Sequence, residues 1–172
     1  YAMAGLIFEL VDKQNNPKWN RLEIIVVPGI SAMQAAAARI GAPICHDFCT
    51  ISLSNLMTPW SVIEKRIQMA AKADFIVALY NPAAKKRKSQ FSDAINIFLN
   101  YRSKSTPVIL AKNLGRKYET VVVKNLGTVS SDEVDMLTLV LIGSSNTRII
   151  QKGIEQKIYT PRGYGINYGG SN

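Results

Sequence analysis

Short apolar runs, many of them β-branched, constrain this 172-residue chain most: residues 22–27, 75–79, 107–111 and 137–143 are each of strand length and close on Pro, Gly or Asn. Such runs read as strands buried on both faces. Between them lie stretches of helical period. Residues 60–73 place Val62, Ile63, Ile67, Ala70 and Ala71 on one side, and residues 91–101 do the same with Phe91, Ile95, Phe98 and Leu99. Strands alternating with such helices predict an α/β layered fold with a mainly parallel sheet.

The smaller signals fit this frame. Residues 1–11 read as a helix and 12–20, rich in Asn, Lys and Pro, as a loop. Ser31 is placed to cap an Ala-rich helix over 32–40, which Gly41 and Pro43 stop, and Pro59 stands at the first position of the helix over 60–73. Residues 50–53 and 119–123 read as further strands, 129–135 as carrying one helical turn, and 83–90 as a basic loop.

Nearly half of the residues, 47%, are hydrophobic, enough for a real core. No apolar run approaches the ~20 residues needed to cross a bilayer. Tyr1 opens no secretory signal, and two cysteines are too few for a disulfide framework, so the cytoplasm is the expected compartment and Cys45 and Cys49 are expected to be buried thiols. The net charge of +9 favours an anionic partner: nucleic acid, a membrane surface or a polyanionic small molecule.

Four motifs carry candidate chemistry. Residues 26–32 set small residues and a helix start at the end of a strand, a place where α/β sheets bind ligands, although capping alone also explains Ser31. Tyr80, Asn81 and Pro82 end a strand in the same way, and a plain turn accounts for them equally. Cys45, His46, Asp47 and Cys49 are metal-ligand types, but with one His in the chain a second ligand pair is missing, and no metal is expected. Lys85, Lys86, Arg87 and Lys88 suit a phosphate backbone or a solvated loop, and no recognised nucleic-acid module accompanies them.

Taken in order, residues 1–6 (YAMAGL), 27–32 (VPGISA), 41–48 (GAPICHDF), 51–60 (ISLSNLMTPW) and 73–82 (ADFIVALYNP) resemble the precorrin-3B C(17)-methyltransferase or cobalt-factor III methyltransferase branch of the tetrapyrrole methylases. So do the basic loop ending at Arg87 and residues 134–137 (VDML), 142–148 (IGSSNTR) and 160–164 (TPRGY), with a small departure at Met57 in the segment before Trp60. The resemblance implies the tetrapyrrole methylase fold: residues 1–47 as the end of a first α/β domain and 48–172 as a complete second one, with the opening strand and a Gly-Asp-Pro loop of the family preceding Tyr1 and not in this sequence. A chain so cut is expected to methylate poorly by itself.

The resemblance also implies S-adenosylmethionine as methyl donor, a tetrapyrrole as substrate, methylation at ring carbon 17 with ring contraction, and a homodimer. Carried over by position, Ser31, Ala32, Tyr80, Asn81, Ala111, Thr138 and Leu139 would meet the cofactor. Ser54, Thr58, Arg87, Lys88, Arg116 and Arg148 would meet the polyanionic substrate, and His46 with Asp47 as orienting partner would move protons at the ring. Two rivals stand beside this: a basic, non-catalytic nucleic-acid module using residues 85–88, and a methylase of another corrinoid position.

Overall fold

The computed structural model describes residues 2–83 and 89–163. The chain separates into two compact units, residues 1–30 and 31–172. In the first, helix α1 (Ala2–Gln14) ends at Asn15, whose φ is +43°, and a single helical turn follows at Trp19–Arg21. The strand expected at 22–27 does not form: Ile25 is 74% and Val27 79% exposed, and no strand of the described residues pairs with the segment. Its β-branched composition favours an extended backbone, but a strand exists only where neighbours accept its N–H and C=O groups.

The second unit opens with helix α2 (Ala32–Ile40). Ser31 Oγ accepts the Gln34 amide at 3.3 Å while Gln34 Oε1 accepts the Ser31 amide at 2.8 Å, a reciprocal cap. Strand β1 (Gly41–Ala42) follows directly, and Gly41 is required there: at φ +138°, a Cβ would stand 2.4 Å from the Ile158 carbonyl oxygen. β1 is the edge of a small three-stranded sheet, ordered β1-β8-β7, completed by the hairpin β7 (Arg148–Lys152) and β8 (Glu155–Tyr159). That hairpin is absent from the sequence reading, because β7 is exposed throughout and carries no apolar alternation.

The main sheet runs β2 (Phe48–Ser52), β3 (Ile76–Tyr80), β6 (Thr138–Ile142), β4 (Pro107–Lys112), β5 (Thr120–Asn125). β2 and β3 are parallel, while the β3–β6, β6–β4 and β4–β5 pairs are antiparallel, so the expected mainly parallel sheet is corrected to a mixed one. Apolar content cannot make this distinction, since any central strand buried on both faces is apolar throughout. Helices α3 (Trp60–Lys72, with Pro59 as its cap) and α4 (Ser89–Leu99) cover one face, Ile63, Ile67, Phe91 and Phe98 packing on Val77, Leu79, Val108 and Val140. Met33 and Ala36 of α2 with Ile158 of β8 cover Ala78, Ile109, Leu139 and Leu141 on the other. The alternation of Val77, Ala78 and Leu79 between faces is the two-residue period of a strand.

One edge of the main sheet is fastened by a buried cation. Arg102 donates to the carbonyls of Gly143 and Phe75, each at 2.5 Å, and of Ala70 at 3.4 Å; its guanidinium lies 4.8 Å from the Phe98 ring centre. Burial pushes its pKa down, and Asp74, with Oδ1 3.7 Å from Nε, pushes back up. Asp74 in turn accepts the amide and the hydroxyl of Ser145. Arg102→Ala strands these carbonyls and an acidic partner, and is expected to cost roughly 3–5 kcal/mol, read as a fall in the urea midpoint.

Candidate functional site

The opposite edge of the sheet gathers the candidate chemistry. The C-terminal ends of β2, β3 and β4 meet there with the N-terminal ends of β5 and β6, because Ser52 pairs with Tyr80, Leu79 with Val140, and Lys112 with both Thr138 and Thr120. A cavity of about 200 Å³ opens at this edge. α2 gives it Ala32, β3 and the residue after it give Tyr80 and Asn81, β4 and its following turn give Ala111, Asn113, Leu114 and Arg116, and β6 with its approach gives Met136, Leu137, Thr138 and Leu139. Six of the seven positions singled out for the cofactor thus stand in one cavity. The seventh, Ser31, is exposed beside Ala32 with its hydroxyl engaged in the helix cap and does not line it.

The cavity walls are held by hydrogen bonds. The Tyr80 hydroxyl accepts the Met33 amide at 3.2 Å, taking one of the unpaired donors of the α2 N-terminus. Asn81, at φ +53°, donates from Nδ2 to Ser52 Oγ at 3.0 Å. Thr138 does not offer its hydroxyl to a ligand: it donates to Asp135 Oδ1 at 2.8 Å and accepts the Asp135 amide at 3.1 Å. Asp135 Oδ1 also accepts the Leu137 amide at 2.9 Å, and Lys112 Nζ is 2.6 Å from Oδ2. Partial burial alone would raise the Asp135 carboxyl, but the bonds from Lys112, Thr138 and Leu137 outweigh it and hold its pKa low. Behind the turn that carries Leu114 and Arg116, Glu119 accepts the Gly115 amide at 2.6 Å and pairs with Arg39 at 2.5 Å; Arg39 and Gly115 together hold its pKa below the ordinary carboxylate value.

The other candidates are distributed differently. Ser54 and Thr58 line a second hollow of about 270 Å³ with Thr50, Ser52, Met57 and Arg66. Ser52 Oγ accepts both the Ser54 amide and the Asn81 carboxamide, so this hollow adjoins the first cavity. Arg148 starts exposed β7 in the small sheet, away from both, and Arg87 and Lys88 lie outside the described residues. His46 and Asp47 line a third hollow with Asp74, Ser144 and Thr160, at the sheet edge where β2 and β3 begin. One five-residue strand length, roughly 15 Å, separates them from the first cavity. The Asp47 carboxylate does not orient the imidazole by a hydrogen bond: Nδ1 accepts the Asp47 main-chain N–H at 2.7 Å, with Oδ2 at 3.7 Å. Nor are the thiols buried, Cys45 being exposed and Cys49 half-buried on the edge strand. Among the described residues no cluster of three or more His, Cys, Asp or Glu side chains is placed to hold a metal.

Sequence reasoning missed Asn113, Leu114, Met136 and Leu137, and the two carboxylates behind them. The four lining residues stand in loops whose path only the strand order sets. A profile of the tetrapyrrole (corrin/porphyrin) methylases matches residues 2–130. The chain is similar to the cobalt-factor III methyltransferase of Priestia megaterium, 46% identical over 98% of this chain and 30% of that protein. It is also similar to the precorrin-3B C(17)-methyltransferase of Sinorhizobium sp, 44% identical over 95% of this chain and 65% of that protein. Among solved structures it resembles the methyltransferase CobJ, with a TM-score of 0.83 and 36% identity over 92% of this chain and 64% of that one. The chain therefore spans less than two thirds of the length of each of these relatives.

Because its carboxyl is held low, Asp135 contributes stability above its unfolded pKa of about 3.9 and loses it as pH falls through the lower folded value. Asp135→Asn is expected to cost about 1 kcal/mol or less at pH 7, discounted for the exposure of the ion pair. The gap from wild type should close as pH drops below about 4, measured by urea unfolding across pH.

Proposed function

From the chain's membership of the tetrapyrrole methylase family, we propose that it takes part in S-adenosylmethionine-dependent methylation of ring carbon 17 of precorrin-3B or its cobalt form, with ring contraction, in cobalamin biosynthesis. The observation that carries the reading is the convergence on one cavity of Ala32, Tyr80, Asn81, Ala111, Thr138 and Leu139, which come from four separate stretches of sequence. Family membership counts against the nucleic-acid module, and the names of the relatives favour position 17 over other corrinoid positions.

The cavity suits a sulfonium nucleoside. Ala111, Leu114, Met136, Leu137 and Leu139 offer apolar surface for a purine, while Tyr80, Asn81, Asn113 and Arg116 offer polar contacts for a ribose and an amino-acid carboxylate. Its volume of about 200 Å³ is below the roughly 300–1,000 Å³ of common small-molecule sites, so it encloses part of such a ligand and leaves the rest towards the open side. When bound, S-adenosylmethionine supplies a methyl on cationic sulfur, whose leaving group is a neutral thioether. The residues of this chain then bind, align and exclude water, and the lining residues need furnish no nucleophile. We place the tetrapyrrole edge at the adjoining hollow, where Ser54, Thr58 and Arg66 can meet carboxylates; Arg87 and Lys88 are further contacts in this reading, whereas Arg148, which lines neither cavity, and Arg116, which lines the first, are not assigned to the substrate. His46 and Asp47 receive no part at the first cavity, which they do not line.

The same reading makes the protein a cytoplasmic homodimer and puts a domain boundary at residues 47 and 48, where the main sheet begins, although α2 and β1, which precede it, belong to the compact unit 31–172. Titration with S-adenosylhomocysteine should give saturable binding to one site per chain, and Asn81→Ala and Arg116→Ala should each raise Kd about tenfold, equivalent to ~1.4 kcal/mol. Absence of saturable binding to the wild-type chain sinks the proposal.

A further inference from the structure

We propose that Glu119 is a positioning residue that fixes one wall of the cavity through the main-chain amide of Gly115. The inference deepens the donor-binding reading above and rests on it. The turn between β4 and β5 carries Leu114 and Arg116 into the cavity lining. It is conformationally costly: Asn113, Gly115 and Tyr118 have φ of +55°, +70° and +63°, a region that residues other than glycine enter only when the surroundings hold them there.

Its first residue is tied down, since the Asn113 amide donates to the Leu137 carbonyl at 3.2 Å and its own carbonyl accepts the Arg116 amide at 2.8 Å. Glu119 holds the far side. Oε2 accepts the Gly115 amide at 2.6 Å, and Oε1 accepts Arg39 Nε at 2.5 Å, reaching α2, the helix whose first residue, Ala32, forms another wall. One carboxylate therefore joins a strained turn to the helix opposite it.

The Arg39 and Glu119 side chains are 53% and 23% exposed, and exposed ion pairs by themselves stabilise little. The holding contact is then the carboxylate oxygen on the amide, with Arg39 orienting the carboxylate. This distinction is testable, because a guanidinium placed at position 119 restores an ion pair with an acid at 39 but has no acceptor for the Gly115 amide.

The test is S-adenosylhomocysteine titration and amide hydrogen exchange at residues 113–118, on the full chain and three variants. Glu119→Ala is expected to weaken binding about five- to tenfold, the loss of one charge-assisted hydrogen bond, and to speed exchange at Gly115. Glu119→Gln keeps an acceptor and should stay within about twofold of wild type. The double variant Arg39→Glu with Glu119→Arg should bind as weakly as Glu119→Ala. Recovery of wild-type affinity and Gly115 protection in that double variant overturns the proposal, because an ion pair alone would then suffice. If Glu119→Ala does not fold, the glutamine variant against the charge swap carries the same comparison. A wild-type chain that binds no homocysteine product refutes the donor site instead; Gly115 exchange still decides the clasp, which falls if that amide is unprotected in wild type.

Discussion

The site depends on strand β6 lying antiparallel between β3 and β4. All five of its residues are buried and it is hydrogen-bonded on both sides, so it cannot shift register without reversing which residues face each layer. That insertion brings the start of β6 to the same edge as the ends of β3 and β4. Thr138 and Leu139 consequently stand beside Asn81 and Ala111, residues roughly 60 and 30 positions earlier in the chain. The Arg102 staple fixes the other end of the same strand through Gly143, so β6 is anchored at one end and builds the cavity at the other.

The elements were legible where a local rule decides them. Ser31 caps α2 as its position suggests, with Gln34 completing the cap in the structure, and the apolar stripes of α3 and α4 are the ones that pack on the sheet. Strand direction was not legible, because Val140 and Val77 sit in equally apolar runs and only the path between strands fixes their sense. The run ending at Val27 misled for the complementary reason: composition states a preference, whereas pairing is a property of what lies alongside.

Several motif residues that carried the family resemblance serve the architecture. Thr147 and Thr160 share a hydroxyl contact at 2.8 Å, Thr160 donates to the Pro43 carbonyl at 2.7 Å, and the Ser144 amide donates to Thr147 at 2.8 Å. Gly143 is needed beside them, since its Cβ would fall 2.7 Å from that of Thr147. A buried chain of hydroxyls joins the small sheet to the end of the main one, so polar residues in these stretches satisfy one another. Sequence alone presents such residues as candidates for chemistry, and burial with mutual bonding is what separates them from the exposed groups of the cavity.

The electrostatics of the cavity follow from where the acids are placed. Asp135 and Glu119 stand behind the lining, each spending its oxygens on a loop amide and each paired with a cation on a neighbouring element, Lys112 or Arg39. Their charge is consumed in shaping the walls, and Arg116 is the charged side chain among the lining residues. One guanidinium set among apolar and uncharged polar side chains is an arrangement suited to holding an anionic group beside apolar surface, and the proposed donor presents both.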